Sequence, residues 1–240
     1  KRKPPKPGGF FLLLFRRHRN EFMLKRSGLR NSPQTEPHGL LIKIFTGPLN
    51  YNIDTIYKED RGEFIIGVDM ACALLMEKNI PIDLAIGDFD SLKKGLMKDV
   101  IEYSDKITIY PSEKDYTDTY LAVKEALTMN HSEIIIYGGV GKRFDHSLAN
   151  LSLLKLGTIA ICNDQEIIYM LHPGSYEIES KKKFISFFAI EDVKQLDLLG
   201  FKYQQRKYDL DIDDPLCVSN EGSGTVSFED GVLLVIEQDE

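Results

Sequence analysis

The sequence predicts an α/β plus all-β fold: an N-terminal Rossmann-like parallel α/β domain followed by a C-terminal antiparallel β-sandwich domain. Three observations predict it. Between residues 40 and 162, short continuous apolar runs alternate with amphipathic stretches at helical spacing, as in a parallel sheet covered on both faces. Beyond Gly157 the helical periodicity gives way to a succession of short strand-like segments. Three of the apolar runs lead directly into carboxylate-rich or glycine-rich clusters, which suits ligand binding beyond the carboxyl ends of parallel strands.

The elements follow in order. Leu41 to Thr46 reads as a first strand, stopped by Gly47-Pro48, and Phe64 to Val68 as a second, with Asp69 at its end. Ala71 to Lys78 reads as a helix, with Leu74, Leu75 and Lys78 at helical spacing. Asp83 to Ile86 is a strand, Lys93 to Tyr103 a helix, and Ile107 to Tyr110 a strand. Thr117 to Met129 carries an apolar face of Leu121, Val123, Ala126 and Leu127, and Thr117 or Asp118 is placed to cap it. Ile134 to Tyr137 and Thr158 to Cys162 read as strands around a helix from His146 to Leu156. The strand candidates beyond are 167–171, 176–179, 184–190, 196–199, 225–228 and 232–236. Glu229-Asp230-Gly231, between the last two, predicts a hairpin turn.

Bulk properties narrow the function classes. The net charge of −7 combines a basic first 39 residues, with ten Lys or Arg against two Asp or Glu, and a strongly acidic remainder. An acidic body argues against a nucleic-acid partner, and no apolar run approaches the roughly 20 residues of a membrane helix. Three scattered cysteines, Cys72, Cys162 and Cys217, form no Cys-x-x-Cys pair; this points to the reducing cytoplasm and away from a structural zinc. Residues 1–39 read as a leader or tag-like extension outside the fold, with an organelle-targeting leader as the alternative, since the stretch is Arg-rich and acid-poor.

The chemistry concentrates in three clusters. In Gly87-Asp88-Phe89-Asp90-Ser91, two carboxylates one residue apart at a strand end can turn toward one cation, and Mg²⁺ commonly takes one or two carboxylates plus phosphate oxygens. In Lys114-Asp115-Tyr116-Thr117-Asp118, carboxylates straddle a helix start beside an ammonium. In Gly138-Gly139-Val140-Gly141-Lys142-Arg143-Phe144-Asp145-His146, a glycine-rich turn enters a helix and Arg143 offers a two-pronged phosphate grip. The turn is neither a Walker loop nor a good dinucleotide fingerprint. Each cluster alone also reads as helix capping or a tight turn. Together with Asp69, however, all fall at strand ends on one edge, and one Mg²⁺-phosphate site explains them more economically than separate capping accidents.

These motifs, in this order, resemble the thiamine pyrophosphokinase family over about Leu41 to Ile236: Gly67-Val68-Asp69, Gly87 to Ser91, Lys114 to Asp118, Gly138-Gly139 through His146, Leu199 to Tyr203, and Ser219-Asn220-Glu221 before Gly231 to Leu234. The resemblance implies Mg²⁺-dependent transfer of a pyrophosphoryl group from the co-substrate ATP to thiamine, giving thiamine diphosphate and AMP. It also implies a homodimer with active sites at the subunit interface. On that footing residues 40–162 form the ATP-binding catalytic domain and 163–240 the thiamine-binding and dimerisation domain. By position, Asp88, Asp90 and Asp118 are the metal residues. Asp69, Lys114, Asp115, Thr117, Arg143, Ser219 and Asn220 bind substrate. Asp90, Asp118, Arg143 and Asp145 act in catalysis. The chain departs from its relatives at Asp69-Met70-Ala71, where bacterial members often carry glycine. It also departs in lacking tryptophan, which animal members use in the β-domain, so any ring stacked on thiamine is Tyr, Phe or His. Two rivals stand beside this reading: a haloacid-dehalogenase-type phosphatase using Asp88 and Asp90, and a nonenzymatic nucleotide- or thiamine-binding module.

Overall fold

The computed structural model describes residues 12–15, 24–27, 39–90, 92 and 94–240. The expected leader lies largely outside the described residues. Within it stand two short strands, Leu12–Phe15 (β1) and Leu24–Ser27 (β2), paired antiparallel. The chain divides into two compact units, Thr35–Met170 and Leu171–Glu240, the latter together with residues 1–34.

The first unit is built on Leu40–Phe45 (β3), Glu63–Val68 (β4), Leu84–Gly87 (β5), Ile107–Ile109 (β6), His131–Tyr137 (β7) and Ile159–Cys162 (β8). These strands are parallel in the order β6-β5-β4-β3-β7-β8, and Glu166–Leu171 (β9) adds antiparallel to β8. The continuous apolar runs of the sequence become strands buried on both faces: Ile42, Ile44, Ile66, Ile86, Ile134 and Ile136 are completely inaccessible. Helices Ala71–Glu77 (α2), Lys94–Tyr103 (α3), Asp118–Ala126 (α4) and Phe144–Leu153 (α5) connect successive strands, and a single turn, Ile53–Ile56 (α1), follows β3. Helix α4 packs against β3, β4, β5 and β7 through its Ala122, Val123 and Ala126 face. It starts where expected, because the Thr117 hydroxyl accepts the Tyr120 amide at 3.1 Å.

A lysine sits in this core. Lys43, 1% exposed, donates to the Lys58 carbonyl, to Glu63 and, at 2.6 Å, to Asp60. A buried ammonium is tolerable only when so completely paired. The pairing ties the segment before β4 to the middle of β3. Beside it Phe45 stacks on Tyr137 with centroids 4.6 Å apart.

The second unit is antiparallel. Gly174–Ile178 (β10), Phe184–Leu199 (β11), Gln205–Leu210 (β12), Gly224–Phe228 (β13) and Asp230–Gln238 (β14) centre on β11. Strand β10 pairs with β13, and β1 lies parallel along β10. Phe187 and Phe201 meet edge to face at 5.4 Å within this core.

Two sequence expectations change here. The segments 184–190 and 196–199 are one strand of 16 residues, bent by irregularities between Ala189 and Lys194. The Asp230-Gly231 pair is not a hairpin. Strand β13 pairs with β11 at residues 197–199 and β14 continues along β11 from Lys194 down to Phe184, so β13 and β14 are consecutive partners of one strand. Gly231, at φ +93°, sits at the kink between them. Positive φ at glycine serves a bulge as readily as a turn, and long-range register along β11 decides between them.

The kink tolerates nothing larger than glycine, since a Cβ on Gly231 would lie 2.2 Å from the Asp192 carbonyl oxygen. Gly231→Ala is expected to lower stability by about 2 kcal/mol or more, read as a lowered midpoint in urea unfolding. An unchanged midpoint would contradict this account of the bend.

Candidate active site

All parallel strands of the first unit end on one edge. The chain runs from β3 outward to β6, then crosses back to β7 on the other side of β3, so the winding direction reverses between β3 and β7. Open parallel sheets bind ligands outside the strand ends at such a reversal. Asp69 follows β4, Asp88 follows β5, Lys114 to Thr117 lie between β6 and α4 with Asp118 the first residue of α4, and Arg143 and Asp145 lie after β7.

Asp69 and Asp88 are held by backbone geometry. Asp69 has φ +47° and its amide donates to the Ile86 carbonyl at 3.0 Å, which locks the end of β4 onto β5. Its carboxylate crosses directly over Gly87, where a Cβ would meet Asp69 Oδ1 at 1.8 Å, and accepts the Phe89 amide at 3.3 Å. Glycine at 87 is therefore a condition for the Asp69 carboxylate being where it is. Asp88 Oδ1 accepts the Asp90 amide at 3.1 Å, a local turn that leaves Asp90 exposed.

Lys114 joins the acidic strand ends. Its Nζ lies 3.2 Å from Asp88 Oδ2 and 3.1 Å from Asp118 Oδ1, and it also donates to the Pro111 carbonyl at 3.2 Å. The contact to Asp118 is an ion pair out of line for a hydrogen bond, so the buried Asp118 Oδ1 has no hydrogen-bond donor. Burial lowers the Lys114 pKa, but the neighbouring carboxylates of Asp118 and Asp88 outweigh it and hold the ammonium above its usual range. Burial likewise opposes ionisation of Asp88, yet the Asp90 amide and Lys114 carry it below the ordinary carboxylate range. Asp69 goes the other way: desolvation, with the charge of Asp118 behind it, pushes its carboxyl up to about 6. These opposed shifts place Asp69, Asp88, Lys114 and Asp118 in one electrostatic group.

A carboxylate oxygen held by an ion pair alone, beside two further carboxylates, suits a hard cation such as Mg²⁺. Among the described residues, however, no three His, Cys, Asp or Glu side chains form a ready metal cage. Asp88, Asp90 and Asp118 are therefore not preassembled as a trio, and a divalent ion here needs further oxygens from a ligand.

After β7 the glycine turn is anchored by residues that the sequence did not single out. Asn150 Nδ2 donates to the Gly139 carbonyl at 2.7 Å, the Gly141 amide donates to Ser147 Oγ at 3.0 Å, and Gly139 N donates to the Gly47 carbonyl at 3.3 Å. Arg143 and Asp145 form an exposed two-pronged pair at 2.6 and 3.2 Å, and the guanidinium holds the Asp145 carboxyl down at about 2. They pair with each other, and among the described residues no hydrogen bond or ion pair joins them to the Lys114 group. Between the two clusters stands β3, which separates the ends of β4 and β7 by two strand spacings, about 10 Å.

The remaining expected residues are placed as follows. Thr117 caps α4, and Asp115 is exposed. Ser219 and Asn220 belong to the second unit. Asn220 is buried and its side chain is already committed: Nδ2 donates to the Tyr203 carbonyl at 2.7 Å and Oδ1 accepts the Tyr203 amide at 2.9 Å. It shapes the turn that presents the half-exposed Tyr203 ring. Ser219 has φ +57°, and its amide donates to Ser186 Oγ at 3.0 Å. Sequence reasoning also missed the buried hydroxyl pair Thr46–Thr119, 2.7 Å apart, which ties α4 to the end of β3. The stacked rings of Tyr116 and Tyr120, 4.7 Å apart, were missed as well; their i, i+4 spacing was the available signal.

Comparison with known proteins gives a consistent result. The family model described as thiamin pyrophosphokinase, catalytic domain, matches residues 58–162, and that described as thiamin pyrophosphokinase, vitamin B1 binding domain, matches residues 175–233. A thiamine pyrophosphokinase of Bacillus subtilis (strain 168) is 36% identical over 202 residues, 79% of this chain and 94% of the relative. The crystal structure of thiamine pyrophosphokinase from Bacillus subtilis superposes with a TM-score of 0.77 at 35% identity, covering 83% of this chain and 99% of the other. A thiamin pyrophosphokinase family protein from Enterococcus faecalis gives 0.72 at 30% identity, over 84% and 99%. Yeast thiamin pyrophosphokinase shares the fold, at a TM-score of 0.65, 13% identity and 85% and 88% coverage.

The raised carboxyl of Asp69 has a measurable cost. Its contribution favours the folded state below the unfolded-state value near 4 and is lost as pH rises through about 6. Asp69→Asn keeps an acceptor for the Phe89 amide and tolerates positive φ. This variant is expected to be more stable than the parent at about pH 7.5, by about 1 kcal/mol once solvent screening of this half-buried group is allowed for. The gain should vanish near pH 4, as read from thermal melts at the two pH values. A variant less stable at the higher pH would contradict the assignment.

Proposed function

The chain belongs to the thiamin pyrophosphokinase family, and from that premise we propose that it transfers the pyrophosphoryl group of ATP to the hydroxyl of thiamine, releasing AMP and thiamine diphosphate. The observation that carries this reading is the grouping of Lys114 with Asp88 and Asp118 at the strand ends, the ammonium 3.2 Å from one carboxylate and 3.1 Å from the other. The family match sets aside the dehalogenase-type alternative.

Phosphoryl-type transfer asks the protein for alignment and charge neutralisation more than for covalent chemistry. Asp88, Asp90 and Asp118 would hold Mg²⁺, which when bound neutralises charge on the polyphosphate. Lys114 and Arg143 grip phosphoryl oxygens, the second through its planar fork. Asp145 acts on Arg143, holding the fork in a fixed plane through two bonds. Asp118 orients the thiamine hydroxyl as its oxygen attacks the β-phosphorus, the bond from that phosphorus to the bridging oxygen of AMP breaks, and the hydroxyl proton leaves to solvent. Asp69, Asp115 and Thr117 shape the rim of the phosphate site. In the second unit, Ser219 faces thiamine while Asn220 positions the Tyr203 turn. The parallel unit thus serves as the ATP-binding catalytic domain and the antiparallel unit as the thiamine-binding and dimerisation domain of a homodimer with active sites at the subunit interface. Three buried, unbridged cysteines support residence in the reducing cytoplasm.

The test is AMP release from ATP by the purified protein. AMP should form in equal amount with thiamine diphosphate, and only when thiamine, ATP and Mg²⁺ are all present. Absence of thiamine-dependent AMP would contradict the reading. Arg143→Ala, an exposed position, should leave the melting temperature unchanged and lower kcat/KM by about 10²-fold or more. Wild-type kcat/KM in that variant would remove Arg143 from the reaction.

A further inference from the structure

We propose that Lys114 makes divalent-metal binding depend on nucleotide: its ammonium stands in for the cation between Asp88 and Asp118 until a polyphosphate offers it another anionic partner. This rests on the proposed Mg²⁺-polyphosphate site and specifies the order in which that site is filled.

The Nζ sits 3.2 Å from one carboxylate and 3.1 Å from the other, and the Lys114 side chain is only 13% exposed. An ammonium carries three donors and no acceptor. Here two donors are spent on Asp88 Oδ2 and the Pro111 carbonyl, and the positive charge itself faces Asp118 Oδ1. A free dication entering between these carboxylates would be placed against a fixed, poorly hydrated positive charge. It would also strip Lys114 of the two partners that justify its burial. With no third carboxylate, His or Cys completing a cage among the described residues, the metal gains too few ligands to offset that loss.

A polyphosphate changes both sides of the exchange. Its oxygens complete the shell of a hard cation, and they accept the Lys114 ammonium at the cost of a short movement. Lys114 trades carboxylate for phosphate, the carboxylates turn to the metal, and every charge remains paired. Metal and nucleotide therefore bind with positive coupling, and each strengthens the other by the same factor. The consequence is that the carboxylates are not occupied by adventitious divalent ions in the absence of nucleotide.

The experiment measures Mn²⁺ binding to the full chain by the loss of the free-ion electron paramagnetic resonance signal. It is run with and without α,β-methylene-ATP, which cannot release AMP, and the signal lost to the analogue without protein is subtracted. For the unaltered protein, Mn²⁺ alone should bind at least about tenfold more weakly than in the presence of the analogue, within the usual range of coupling factors. Comparable affinities in the two conditions would overturn the proposal without any variant. In Lys114→Met, Mn²⁺ alone should bind about tenfold more tightly than in the parent, and the enhancement by the analogue should shrink. Lys114→Arg, which keeps the charge, should leave Mn²⁺ alone weak. An unchanged or weaker Mn²⁺ affinity in the methionine variant, or arginine behaving as methionine, would overturn the proposal. These readings do not use turnover. A protein that shows the coupling but releases no AMP would refute the proposed reaction alone, and one that releases AMP without the coupling would refute this inference alone.

Discussion

Asp69, Asp88 and Asp118 crowd the carboxyl ends of adjacent parallel strands, and among the described residues the ammonium of Lys114 offsets their mutual repulsion. The site follows from that compensation. Each neighbouring feature is arranged to permit it: Gly87 gives up its side chain so that the Asp69 carboxylate can lie above it, and the Thr117 cap starts α4 where Asp118 faces Lys114. The Thr46–Thr119 hydroxyl pair fixes the first turn of α4 to the end of β3. The compensation is incomplete, and the residue that shows it is Asp69, whose carboxyl is held at about 6. Excess negative charge at a strand edge is a poor way to stabilise a fold and a good way to hold a cation that arrives with its own ligands.

The two halves of the edge differ in kind. The Lys114 group is partly buried and strongly coupled. The Arg143–Asp145 pair is exposed, and such a pair adds little to stability. In the proposed reaction its value is geometric: a guanidinium held in a fixed plane by a neighbour two residues away would meet phosphate oxygens with little further ordering. The glycine turn that carries it is fixed from beneath by Asn150 and Ser147, residues of α5 itself. Strand end, turn and helix start are thereby one rigid element.

How much of this was legible in the sequence depends on the range of the interaction involved. The parallel strands were readable because runs such as Ile134 to Tyr137 have to be buried on both faces, and the Thr117 cap because capping is local. Asp69, Asp88, Lys114 and Asp118 were readable as a set because each ends or follows a strand, so topology brings them to one edge. The unity of β11 was not readable, since its bend falls among polar residues that resemble a loop. The role of Asp230-Gly231 was hidden for a related reason: the dipeptide specifies positive φ, whereas pairing along residues 184–199 decides whether the chain turns back or continues. Asn220 was picked out by its motif, but its commitment to the Tyr203 backbone is a contact across 17 residues that no local pattern reports. The Thr46–Thr119 and Asn150–Gly139 bonds were missed on the same grounds.

The central claim is that the carboxyl edge of the parallel sheet, from Asp69 through Asp118 to Arg143, receives one Mg²⁺-bound polyphosphate. A crystal structure of the protein with Mg²⁺ and α,β-methylene-ATP tests it most directly. The account predicts metal density touching Asp118 and Asp88, with phosphoryl oxygens within hydrogen-bond distance of Lys114 Nζ and the Arg143 guanidinium. A polyphosphate bound elsewhere, with Lys114 still seated between Asp88 and Asp118, would contradict it.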